Sequence, residues 1–149
     1  MKFFFRTMNI IYSSFIISSI LMVGVSIYLS NSKLEIQVTL SQVKIWILII
    51  FILISIILSR YIYKKNLERI NENDQLILKL QAYQSAFIYR LSILEFTLII
   101  SILFFIFSKL WIILIFSLIV LFLIISSRPS KKNFLKIFSL SETELKSLG

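Results

Sequence analysis

The chain has 149 residues, 58% of them hydrophobic, 14 of them Phe, and a formal net charge of +9. Four apolar runs near the length of a bilayer crossing take up most of it, which excludes an ordinary water-soluble domain. With no Cys and no His, it has no side chains for disulfides, thiol catalysis, His-ligated metals or imidazole acid–base chemistry.

Backbone chemistry sets the expected fold class. In hydrocarbon every peptide N–H and C=O must be bonded internally, and these runs lack the alternation of a membrane barrel, so they are expected as helices. The expected architecture is an all-α, integral membrane four-helix bundle over residues 1–128, followed by a cytoplasmic basic amphipathic tail over residues 129–149. The two glycines, Gly24 and Gly149, are too far apart to cradle a phosphate and too few for glycine-based helix packing.

Lys2 and Arg6 precede an uncharged stretch from Thr7 to Ser32. It exceeds a usual signal core and has no evident small-x-small cleavage pattern, so it reads as a retained helix over about residues 7–30 rather than a signal peptide. Ser14 and Ser18 lie four apart, and Ser19 and Ser26 seven apart. Either they form a face that another helix approaches closely, or they bond carbonyls of their own preceding turn.

Asn31 to Gln42 is a short connection in which Thr39 and Gln42 have capping-box spacing. The second run has only 15 uncharged residues between Lys44 and Arg60, so both cations are expected to snorkel outward. Trp46 at one end, with Tyr61 and Tyr63 at the other, suits the aromatic belts of the two interfaces. This helix is expected over about residues 43–62, extending to 70.

Residues 60–90 are the longest polar region. Asn71 to Asp74 break the pattern, with Asn73 or Asp74 as the N-cap of the next helix. Leu76, Leu80, Tyr83, Phe87, Leu91 and Leu94 then step by three and four along one face. Helices two and three are therefore expected to extend past the membrane as a cytoplasmic helical hairpin, with Leu67 and Ile70 facing that stripe. The third helix would run from about residue 74 to 107, on the order of 50 Å, with residues 86–107 in the membrane. The polar face of the hairpin (Gln75, Lys79, Gln81, Gln84) is either a protein contact or a solvated stalk.

A tight turn at Ser108-Lys109 leads to the fourth helix over about residues 110–127, which Arg128-Pro129 ends. In the tail, Phe134, Ile137 and Phe138 share one helical face and Lys132 and Lys136 another, as an interfacial helix would. Lys131, Lys132, Phe134, Lys136 and Phe138 are thus the expected contacts with anionic headgroups of the lipid bilayer. Ser141 and Glu144 have capping-box spacing for a last acidic turn.

Of the 16 cations, only Lys33, Lys44 and Lys109 fall on one side of this layout. The positive-inside rule makes the crowded side cytoplasmic and places both termini there, in a multi-pass protein of the inner (plasma) membrane. The same rule accounts for the positive charge with no nucleic acid as partner.

Glu95 is the one acidic residue inside an apolar run. Five residues beyond Arg90, it is displaced roughly 7 to 8 Å along the helix and lies in the inner third of the membrane. A carboxylate there finds a cation or holds a proton. Arg90 is about 140° around the helix, so the expected partner is Arg60, at the same depth on the antiparallel second helix. Ser92, three positions back, adds a hydrogen bond in this reading. Glu95, Arg60, Ser92 and Arg90 form the candidate intramembrane polar site, and no catalytic, cofactor or metal site is expected.

The segments KLQAYQSAFIYRLSILE (residues 79–95) and RPSKKNFLKIFSLSETE (residues 128–144) resemble a family of small four-helix bacterial membrane proteins with no assigned activity. The matching positions are Leu80, Tyr83, Ala86, Ile88, Arg90, Leu94 and Glu95, then Arg128, Pro129 and Ser130. Relatives tend to follow the glutamate with small residues such as Gly-Pro. Phe96 and Thr97 stand there instead, which implies that a cavity made by those small residues is lacking here.

The expected function is that of a structural or accessory membrane subunit without catalytic activity, a homo-oligomer joined through the first and third helices or the partner of another membrane protein. The alternative is a small proton- or cation-coupled transporter or channel that uses Glu95.

Overall fold

The computed structural model describes residues 2–31, 42–70 and 75–138. Five helices account for nearly all of them: α1 (Lys2–Asn31), α2 (Gln42–Glu68), α3 (Leu76–Ser108), α4 (Trp111–Ser126) and α5 (Lys131–Ile137). Three of these, α1, α2 and α3, are individually long and apolar enough to cross a membrane. A fourth span is obtained only if α4, 16 residues long, is counted together with α5, to which it is joined by a bend of 78°.

The helices do not form a square of four. α3 is central and packs against α1, α2 and α4, whereas α1 and α2 are not substantially in contact. Its sequence explains the role. Leu91, Leu94, Leu98, Ile102 and Phe105 make a buried apolar stripe, and Ala86, Thr97 and Ser101 add small buried side chains beside it. Small residues let a neighbouring backbone approach where lipid supplies no hydrophobic drive for helix association.

The hydroxyls buried in the bundle mostly bond their own helices. Ser55 donates to the Phe51 carbonyl at 2.9 Å, Ser59 to Ile56 at 2.8 Å, Thr97 to Ile93 at 2.8 Å and Ser117 to Ile113 at 2.9 Å. Both readings of the α1 serines therefore hold, for different residues. Ser26 is buried and donates to the Val23 carbonyl at 2.7 Å, Ser19 is fully buried, and Ser14 is exposed while back-bonding to Ile10. Between helices, the Tyr12 hydroxyl donates to the Ile125 carbonyl and ties α1 to α4.

The turn from α3 to α4 is closed by Lys109, which has φ 53° and donates its backbone N–H to the Phe105 carbonyl at 2.7 Å. This left-handed C-cap is the conformation that favours glycine. Ser108 completes the turn, donating to the Phe104 carbonyl at 2.7 Å and accepting from the Leu110 N–H at 3.4 Å. At its other end α3 begins after Gln75, which makes no side-chain cap bond. The expected cap residues Asn73 and Asp74 lie outside the described residues, as do the Thr39 and Ser141 boxes.

After α4, Pro129 has no N–H to continue a helical ladder, and the chain turns away before α5. The turn corrects one expectation of the sequence. Phe134 and Phe138 do not face headgroups: both are buried, Phe134 completely, against Phe5 of α1 and Tyr83 of α3. Lys131, Lys132 and Lys136 remain exposed, Lys132 and Lys136 on the opposite face. The amphipathic pattern put Phe134, Ile137 and Phe138 on one face; protein covers Phe134 and Phe138, while Ile137 stays exposed.

Two stability measurements follow, both by equilibrium unfolding in mixed detergent micelles. Phe134→Ala empties a fully enclosed aromatic position and should cost about 3–5 kcal/mol, while Lys132→Ala should stay within about 0.5 kcal/mol of wild type. Lys109→Gly removes a Cβ from a left-handed cap and should stabilise by about 0.5–1 kcal/mol.

Candidate functional site

Polar and aromatic groups converge where α1, α2, α3 and α5 meet. Tyr83 of α3 stands at the centre. Its ring lies 5.3 Å from Phe134 at an interplanar angle of 78°, and 6.5 Å from Phe5. Edge-to-face contacts of this kind add specific attraction to simple burial. The Tyr83 hydroxyl donates to the Ser130 carbonyl at 3.5 Å, at the start of α5, and it also approaches the hydroxyl of Tyr63 on α2.

Arg90 closes this cluster on the α2 side. Its guanidinium carbon sits 5.4 Å from the centroid of the Tyr63 ring, a cation–π distance. Arg90 is half-buried, and its Nε is buried with no hydrogen-bond partner. No carboxylate of the described residues comes within ion-pair distance of it; the ion pair found between described residues is Lys64–Glu68, at 3.4 Å on the exposed side of α2.

Glu95 faces elsewhere. At i−4 and i−7 from Ile99 and Ile102, it shares the side of α3 on which those residues line a pocket with Leu21, Met22 and Ser26 of α1. α2 instead lies against Ile100 and Phe104, where Ile47, Leu48 and Phe51 line a second pocket. Ile100 is five positions from Glu95, about 140° around the helix. The expected Glu95–Arg60 ion pair is therefore not formed: the two residues lie on different sides of α3, and Arg60 is exposed. Ser92 is also exposed and makes no hydrogen bond to Glu95.

Of the four candidate residues, the structure joins Arg90 to tyrosines and leaves Glu95, half-buried, on the α1 side. α1 and α3 run side by side with Phe5 against Tyr83 and Tyr12 against Phe87. Continuing that register puts Glu95 near the level of Ser19, whose buried hydroxyl has no partner. Among the described residues, no three Asp, Glu, His or Cys side chains come together as a metal site.

Tyr63, Tyr83 and Phe5 belong to the convergence point without having been candidates from sequence. Tyr83 was visible as a member of the α3 stripe, and Tyr63 as an interfacial aromatic. Nothing in their spacing indicated that they share one cluster. No protein family, curated protein or solved structure matches this chain.

A double-mutant cycle separates the two arrangements. Arg90→Ala and Tyr63→Leu should show a coupling of about 0.5–1 kcal/mol in unfolding free energy, as a partly desolvated cation–π contact would. Arg60→Ala and Glu95→Gln should add without coupling, within about 0.5 kcal/mol.

Proposed function

We propose that this chain is a structural or accessory subunit of the inner (plasma) membrane, with four spans, both termini cytoplasmic and no catalytic chemistry of its own. The observation that carries this reading is how its surface is divided. α2 packs chiefly on α3 and leaves Trp46, Ile47, Ile50, Ile54 and Ile57 exposed along its outer side. Such a row suits lipid or a second membrane helix, since both are apolar. α3 is occupied by three neighbours, so α1 and α2 offer more open surface for self-association or for a partner than the α1–α3 pair expected from sequence.

The orientation rests on the distribution of cations. Because the chain has no cysteine, single introduced cysteines report topology directly. A membrane-impermeant maleimide should label Lys33→Cys from outside intact cells and should reach Lys136→Cys only after the membrane is permeabilised.

Gentle solubilisation followed by native mass spectrometry tests the subunit reading. A stoichiometric foreign membrane protein, or a defined homo-oligomer, is the expected result. A monomer without partners would sink it.

One observation favours the second reading, a proton- or cation-coupled transporter: Glu95, a carboxylate on a helix apolar enough to cross a membrane, has no cation of the described residues in ion-pair contact. In that case Glu95→Gln should abolish pH-dependent flux into liposomes with the fold intact. Flux that is absent in wild type, or that survives the substitution, removes this alternative.

A further inference from the structure

A groove of about 750 Å³ runs along α1 beside Phe5 of the aromatic cluster, and the first residue of α5 also lines it. Arg6 and Lys131 line it together with Asn9, Ser13, Ile10 and Ile17. From Arg6 to Ile17 is eleven residues of helix, on the order of 16 Å. Along α1 the lining runs Arg6, Asn9, Ile10, Ser13, Ile17: Arg6 lies toward the start of the helix, where the Phe5–Phe134 contact also brings Lys131, Ile17 lies at the far end, and polar and apolar side chains alternate between them.

Two cations at one end and an aliphatic side chain at the other match an amphiphile with an anionic head. Among the described residues no carboxylate lines the groove, and neither cation is in an ion pair with one of them. Both cations are exposed, so they are available to an outside ligand. Ser14, beside the groove, already donates to the Ile10 carbonyl at 3.0 Å and so offers an acceptor rather than a donor. The donors directed to a headgroup are thus Arg6, Lys131, Asn9 and Ser13, and two cations with neutral donors suit a phosphate diester. The volume lies within the range of small-molecule sites.

We propose that this groove is a discrete binding site for one anionic phospholipid, its phosphate held by Arg6 and Lys131 and the upper part of an acyl chain laid along Ile10 and Ile17. The site rests on the membrane reading above. It differs from general attraction of a basic tail to a charged bilayer, in which Lys132 and Lys136 would count as much as Lys131.

The test is native mass spectrometry of the full chain released from detergent micelles doped with either phosphatidylglycerol or phosphatidylcholine. Wild type should retain one phosphatidylglycerol and little phosphatidylcholine. R6Q/K131Q should lower retention at least fivefold, while K132Q/K136Q, with the same change in net charge, should stay within twofold of wild type. S13W keeps both cations and fills the groove, and it should also expel the lipid. Equal losses in the two double variants, equal retention of both lipids by wild type, or full retention by S13W would each overturn the site. Extraction of the chain from native membranes by alkaline carbonate would be a failure of the membrane reading itself, and is scored separately.

Discussion

The structure depends on one helix serving three neighbours at once. In lipid, helices gain little by hiding apolar surface from water, so close contact must come from shape and from satisfied polar groups. α3 meets that condition with Ala86, Thr97 and Ser101 beside a leucine stripe. Facing serines on α1, α2 and α4 are small enough to approach, and most spend their hydroxyl on a carbonyl of their own helix. The bundle interior is thus polar in composition at many points but offers few free hydrogen-bonding groups.

At one end the packing changes character. Phe5, Tyr83, Phe134 and Phe138 build an aromatic cluster that gathers α1, α3 and α5, with Tyr63 and Arg90 bringing in α2. α5 is seven residues long, too short to hold its helical form by propensity alone, so tertiary contact must supply what local hydrogen bonding cannot. Phe134 and Phe138 of the tail are fixed by protein, and of its exposed lysines Lys131 lines the groove along α1. The same bend after Pro129 thereby buries Phe134 and sets Lys131 near Arg6.

Separating Arg90 from Glu95 has a chemical consequence. One long apolar helix carries both a cation and a carboxylate, yet it turns them toward different neighbours. Arg90 is stabilised by an aromatic face on α2, and Glu95 stands on the α1 side near the level of an unpartnered serine hydroxyl. Neither neutralises the other, so each remains open to an interaction the bundle itself does not provide.

The sequence by itself determined the helical class, the apolar spans, the long third helix, the turn at Ser108-Lys109 and the break at Pro129, because periodicity, run length and proline chemistry act within a few residues of chain. On α5 it grouped Phe134 and Phe138, which are buried, with Ile137, which is exposed. Only the tertiary structure decided what covers each face. An apolar stripe reads the same whether lipid or protein lies against it, which is why Phe134 and Phe138 appeared to be headgroup contacts. Residue counts give the rise along a helix, but they do not give its rotation toward a neighbour. Arg60 and Glu95, expected at one depth, do not meet, since α2 lies against Ile100 and Phe104 while α1 covers the side of Ile99 and Ile102.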